Sequence, residues 1–137
     1  KDGRSGSNFQ LYNESEARLI WNYARVSFCT EAVIRSWSCG SVCREAPIET
    51  GSASFIGPGR VFGAQGYVAR LPVVNHRCVA AFRGTQPGNL RNMLADMLFP
   101  MVPWQPSDEG RCPGCKAHLG FSSAYSEIRF QLLAALH

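Results

Sequence analysis

The stretch from Cys78 to Phe99, "CVAAFRGTQPGNLRNMLADMLF", restricts the fold more than any other part of the chain. An apolar run without alternation ends at Arg83-Gly84-Thr85, and beyond Gly88 apolar residues return at three- and four-residue spacing. The first pattern suits a strand covered on both faces. The second, Leu90, Met93, Leu94, Met97 and Leu98 with Arg91, Asn92 and Asp96 between them, suits an amphipathic helix. A strand that stops at Gly-Thr and hands over to a helix makes a corner. Such a corner sets backbone N–H groups and a hydroxyl at the carboxyl end of a sheet, where an anion can be held. The simpler reading is a tight turn in which Thr85 caps the helix, and spacing alone leaves both open.

The flanking sequence extends this reading. Asn13 and Glu16 have capping-box spacing, and Ala17, Ile20, Trp21, Ala24 and Phe28 then recur at three and four, which predicts a helix over 14–28. Arg44 to Arg60 is rich in Pro, Gly and Ser and reads as a loop or an edge excursion. The runs "RVFGAQGYVARL" and "RCVAAFR", joined by "PVVNH", predict an antiparallel hairpin. Four prolines and Asp108-Glu109 make 99–114 an irregular connection. Phe121, Ala124, Tyr125, Ile128, Leu132, Ala135 and Leu136 predict a final long helix, capped by Ser122 or Ser123. No Gly, Asn or Pro ends that helix before His137, so the chain reads as cut inside or just after an element. One domain is expected, with a flexible start over 1–12 and no internal repeat.

Composition narrows the function classes. With 137 residues, 45% of them hydrophobic, the chain can bury a core. The net charge of +4 comes from twelve arginines and two lysines scattered singly, with no stripe or patch to suit a nucleic-acid partner. No window has the apolar length of a membrane span, and the first residues contain no apolar signal segment. Six cysteines point to an oxidising, extracellular setting. Cys112, Cys115 and His118 also have the spacing of three zinc ligands, with Cys39, Cys43 or Cys78 as a fourth. A secreted, non-enzymatic binding module stapled by disulfides or zinc is therefore the alternative to an enzyme.

An ordered set of motifs decides between them. "ARVSFC", "WSCGSVC", "GYVA", "VAAFRGT", Asn92 and Asp96 in an apolar segment ending at Phe99, and "CPGCKAHLGF" with its C-x2-C-x2-H-x-G-F spacing follow one another along the chain. In that order they resemble the class 3 lipases of the filamentous-fungal type, from about Ala17 to Leu136. The resemblance implies an α/β-hydrolase fold, of which residues 1–137 are the N-terminal part: a helix, an antiparallel hairpin, a lid helix, and a long helix before the nucleophile elbow. It implies secretion and serine-dependent hydrolysis of lipid esters at a lipid–water interface, with no cofactor and no metal. Thr85 takes the oxyanion-hole position, supported by Arg83 and Gly84. Residues 86–99 become the lid, with Leu90, Met93, Leu94 and Met97 on its apolar face. His118 is expected beside the active site in a supporting role, and His76 in a solvated turn.

The same resemblance pairs Cys39 with Cys43 and Cys112 with Cys115. It matches Cys29 to a half-cystine whose partner lies further along, and leaves Cys78 as a buried free thiol. Two departures affect the lid: Met93 stands where the family usually has Trp, and two extra residues separate Thr85 from Asn92. The G-x-S-x-G elbow is missing, since "GRSGS" and "GSASF" do not fit it. The piece alone is thus expected to be inactive and, with a strand edge unpaired, to self-associate.

Overall fold

The computed structural model describes residues 12–72, 77–84, 100–104, 112 and 114–137. Three helices come first, α1 (Glu14–Val26), α2 (Glu31–Ser36) and α3 (Ser41–Glu45), followed by strands β1 (Ser54–Ile56), β2 (Gly66–Arg70) and β3 (Cys78–Phe82). Strands β4 (Met101–Pro103) and β5 (Lys116–His118) lead directly into α4 (Leu119–Leu136).

Helix α1 starts as expected. The Asn13 side chain accepts a hydrogen bond from the Glu16 amide at 3.2 Å, satisfying one of the orphan donors of the first turn. Its buried face differs from the one expected. Tyr23 and Val26 face the core with Leu19 packed beside them, whereas Ile20, Trp21 and Phe28 are exposed. The helix has apolar residues on two faces, and periodicity alone could not choose between them. Helices α2 and α3, missed in the sequence because five- and six-residue helices have too little period to detect, fold around Trp37. Its indole Nε1 donates to the carbonyls of Ala46 at 2.9 Å and Cys43 at 3.2 Å. Those bonds hold Trp37 at φ 50°, a left-handed conformation unusual for a bulky residue.

Strands β1, β2 and β3 form an antiparallel sheet in that order, with Gly66 opposite Phe82 and Arg70 opposite Cys78. The hairpin of β2 and β3 is the one anticipated, and β1 is the edge excursion. Strand β2 is the one covered on both faces. Tyr67 and Ala69 pack under α1–α3, and Val68 packs with Ile56, Ile128 and Leu132 beneath α4. Period-2 alternation sends these residues to opposite sides, and both sides are apolar. The unbroken apolar run of β3 predicts double cover there instead. There Cys78, Ala80 and Phe82 lie on the same side as Val68 and are not covered, because α4 lies over β1 and β2. Cys78 is accordingly exposed, not buried.

Helix α4 begins three to four residues before the expected cap. Ser122 and Ser123 lie inside it, and the Ser122 carbonyl accepts from Ser126 Oγ at 2.8 Å. The β4–β5 hairpin was not anticipated, since three-residue strands beside a Pro-rich connection carry no usable period. No helix is long and apolar enough to cross a membrane among the described residues.

Candidate active site

The corner at the end of β3 is built from three segments. Arg83 leaves the strand with its amide bonded to the Gln65 carbonyl at 2.8 Å, one step beyond the ladder. Its guanidinium turns back: Nη1 donates to Gln65 Oε1 at 3.0 Å and Nη2 to the Gly63 carbonyl at 3.2 Å. The buried Gln65 side chain then donates from Nε2 to the carbonyls of Ser27 at 3.1 Å and Cys29 at 3.2 Å, just past the end of α1. Between those two residues Phe28 presents its ring to Gly84, where a Cβ would lie 3.7 Å from Phe28 Cζ. That is ordinary van der Waals distance, so the described surroundings do not require glycine at position 84. The corner thus pairs an apolar ring with a strand exit fixed by charge-assisted bonds.

Thr85, the expected oxyanion donor, lies outside the described residues, as do Leu90, Met93, Leu94 and Met97 of the expected lid and His76. Arg83 and Gly84 are placed at the corner. His118 closes β5 and precedes α4, with its ring 5.0 Å from that of Phe121. The rings of Trp104 and Tyr125 meet at a tilt of 46° with centroids 5.8 Å apart, tying the end of β4 to α4. The residue that sequence reasoning missed is Gln65. Gln65 falls within the run read as a strand, and nothing local signals that its polar side chain is buried.

The loop before Gln65 is clamped from α4. Glu127 accepts from the amides of Val61 at 2.8 Å and Phe62 at 3.2 Å, and Gln131 Oε1 accepts from the Gly57 amide at 2.6 Å. Gly59 lets this carboxylate approach, because an added Cβ would overlap Glu127 Oε2 and push it aside. Gly63, whose carbonyl receives Arg83, is in the left-handed region at φ 65°, and its amide bonds back to the Gly59 carbonyl at 3.1 Å.

Cys39 is bonded to Cys43 and Cys112 to Cys115, with Cα separations of 5.1 and 5.5 Å, while Cys29 and Cys78 are free thiols. Four of the cysteines considered as zinc ligands are thereby oxidised. Among the described residues no group of three His, Cys, Asp or Glu side chains is placed to hold a metal. Two phenols have displaced pKa values. Burial pushes Tyr67 far above the ordinary tyrosine range, with Tyr23 and Cys29 adding to the shift, and burial also raises Tyr23. Tyr67 donates to the Tyr23 carbonyl at 2.8 Å and Tyr23 to the Pro47 carbonyl at 2.7 Å. Both phenols act as neutral donors in the core beneath α1–α3.

No protein-family model matches the chain, and no curated protein does. Solved structures do. A fungal lipase–inhibitor complex, presented as a model for interfacial activation in lipases, superposes with a TM-score of 0.66. The triacylglyceride lipase of Rhizomucor miehei gives 0.62. Each is 23% identical to this chain and covers 91% of it, while the chain spans 44% of each of those structures. The chain therefore has, over nearly its whole length and less than half of theirs, the α/β-hydrolase fold of these fungal lipases.

Proposed function

We propose that this chain is part of a secreted, serine-dependent lipid-ester hydrolase, contributing the oxyanion-hole corner and the lid, while nucleophile, acid and histidine lie on chain beyond His137. The observation that carries the reading is the exit of β3, where Gln65, Gly63 and Arg83 hold Gly84 against Phe28. It occurs in a chain with the fold of two fungal lipases more than twice its length.

In this reading a serine hydroxyl gives its proton to the histidine as its oxygen bonds to the ester carbonyl carbon, the carbonyl π electrons move to oxygen, and a tetrahedral oxyanion forms. Thr85, one residue beyond Gly84, offers its N–H and its hydroxyl to that oxygen. Donors fixed before the reaction stabilise charge that exists only in the transition state, so they raise kcat more than they lower KM. Phe28 supplies an apolar surface for the acyl portion beside the corner. Residues 86–99 act as a lid, with Leu90, Met93, Leu94 and Met97 covering the site in water and meeting lipid at an interface. The paired disulfides fit secretion.

The test compares this chain with the complete protein on a nitrophenyl ester of short chain length. Turnover by the complete protein and none by residues 1–137 is the expected result. Turnover by the 137-residue chain alone, or none by the complete protein, would overturn the proposal.

A further inference from the structure

We propose that Gln65 is the positioning residue of the oxyanion corner, acting through Arg83; the inference rests on the hydrolase reading above. Gln65 uses every hydrogen-bonding group of its side chain. Its Nε2 holds the carbonyls of Ser27 and Cys29, and its Oε1 holds Arg83 Nη1. Its main-chain carbonyl accepts the Arg83 amide. One residue, 8% exposed, therefore joins the end of α1, the entry of β2 and the exit of β3. The carbonyls of Ser27 and Cys29 lie at a helix end, where carbonyls lack intrahelical partners. Because they flank Phe28, holding both sets the ring that meets Gly84. The same amide thus fixes the apolar wall and the strand exit relative to each other.

This arrangement separates positioning from folding. The β2–β3 ladder runs from Gly66 opposite Phe82 to Arg70 opposite Cys78, and these pairs do not involve the Gln65 side chain. Loss of that side chain leaves the sheet in register and loosens the residues after Phe82, although the Arg83 amide keeps its bond to the Gln65 carbonyl and Nη2 its bond to Gly63. Displacement of a donor by about 1 Å costs on the order of 10²-fold in rate.

The experiment uses the complete protein with Gln65→Met, of similar length and without polar atoms, and Gln65→Glu, which keeps an acceptor for Arg83. Tyr67→Phe serves as the control, removing a buried hydrogen bond from the same core away from the corner. Kinetics and amide exchange of the 82–85 segment are measured for each. Gln65→Met is expected to lower kcat about 10- to 100-fold with KM changed less than about twofold, and to speed exchange at 83–85. Gln65→Glu, which keeps the acceptor for Arg83 but sets a carboxylate oxygen against the carbonyls of Ser27 and Cys29, is expected to recover only part of kcat and of the protection from exchange, and Tyr67→Phe to leave kcat unchanged. A Gln65→Met enzyme with the kcat of Tyr67→Phe, or with unaltered exchange at 83–85, would overturn the inference. Should the wild-type protein hydrolyse no ester, the hydrolase reading fails, and exchange at 83–85 alone then decides whether Gln65 holds the strand exit.

A separate observation carries a second inference: the structure assigns Asn13 as an N-glycan acceptor. Asn13-Glu14-Ser15 is the sole Asn-x-Ser/Thr sequence in the 137 residues, and Asn13 is exposed. Its capping bond uses Oδ1, which leaves Nδ2 available. Nδ2 attacks C1 of a lipid-pyrophosphate-linked oligosaccharide, the C1–O bond breaks, the lipid pyrophosphate leaves with the electron pair, and the amide loses one proton. Oδ1 survives the reaction, so the cap persists. At 1.5 Å rise per residue, α1 places Asn13 about 21 Å from Ser27, at the end of the helix away from the corner. Secretion of the protein from a eukaryotic host followed by peptide-N-glycosidase treatment is expected to remove one glycan, and Asn13→Gln and Ser15→Ala are each expected to abolish it. Secreted wild-type protein bearing no sugar at Asn13 would overturn the assignment.

Discussion

Replacing Gly59 by alanine tests the clamp between α4 and the loop that supports the corner. Position 59 has no left-handed backbone requirement, so the substitution carries no intrinsic strain. The added methyl instead overlaps Glu127 Oε2. The carboxylate is at the end of a flexible side chain and moves away, losing its bonds to the amides of Val61 and Phe62. Hydrogen bonds to a charged group contribute roughly 1.5–3 kcal/mol each, and partial exposure with one bond at 3.2 Å places the pair near 2–4 kcal/mol. Glu127→Ala should cost about that amount. Gly59→Ala should cost about 1–3 kcal/mol, because restriction of the unfolded chain offsets roughly 0.4–1 kcal/mol. In the Glu127→Ala background the methyl still meets the Ala64 amide nitrogen at 3.2 Å, a tight contact, and the added cost should fall to about 0–1 kcal/mol. Urea unfolding of the two single variants and the double variant measures the coupling, expected at about 1–2 kcal/mol. Additive costs within about 0.5 kcal/mol would refute the clamp.

Other expectations follow from the core and the cysteines. Tyr67→Phe removes a buried donor from the Tyr23 carbonyl and should destabilise by about 1–2 kcal/mol in the same urea assay, and an unchanged midpoint would contradict it. Tyr67 and Tyr23 have raised pKa values in the folded state, so their stabilisation is complete below the unfolded value of about 10 and is lost as pH rises above it, when the unfolded state releases protons that the folded state keeps. Unfolding free energy should therefore fall above about pH 10 while tyrosinate absorbance of the folded protein lags; prompt ionisation of all the tyrosines would contradict this. In the 137-residue chain two thiols should titrate in denaturant without reductant, and in the native state Cys78 should react before the partly buried Cys29; four or more thiols would remove the disulfides.

The large elements were legible in the sequence where local chemistry and periodicity agreed. The Asn13 cap fixes the start of α1, and the apolar stripe through Ile128 and Leu132 marks the face α4 buries. What failed was assignment by periodicity alone. An apolar run shows that a strand can be covered twice, but not which of two paired strands lies beneath a helix, and that choice exposes Cys78 on β3. Short helices around Trp37 and the three-residue β4–β5 hairpin are held by tertiary contacts instead of pattern. The corner was located from the Arg83-Gly84 sequence, whereas its support came from Gln65 and Glu127, residues that are polar, distant in sequence and bonded only after folding.

The central claim is that Thr85 donates to the oxyanion of an ester under attack. Steady-state kinetics of Thr85→Val in the complete protein test it most directly, because valine keeps the shape and removes the hydroxyl donor. The account predicts a fall in kcat of about 10- to 10³-fold with little change in KM. Equal kcat for wild type and Thr85→Val would contradict it.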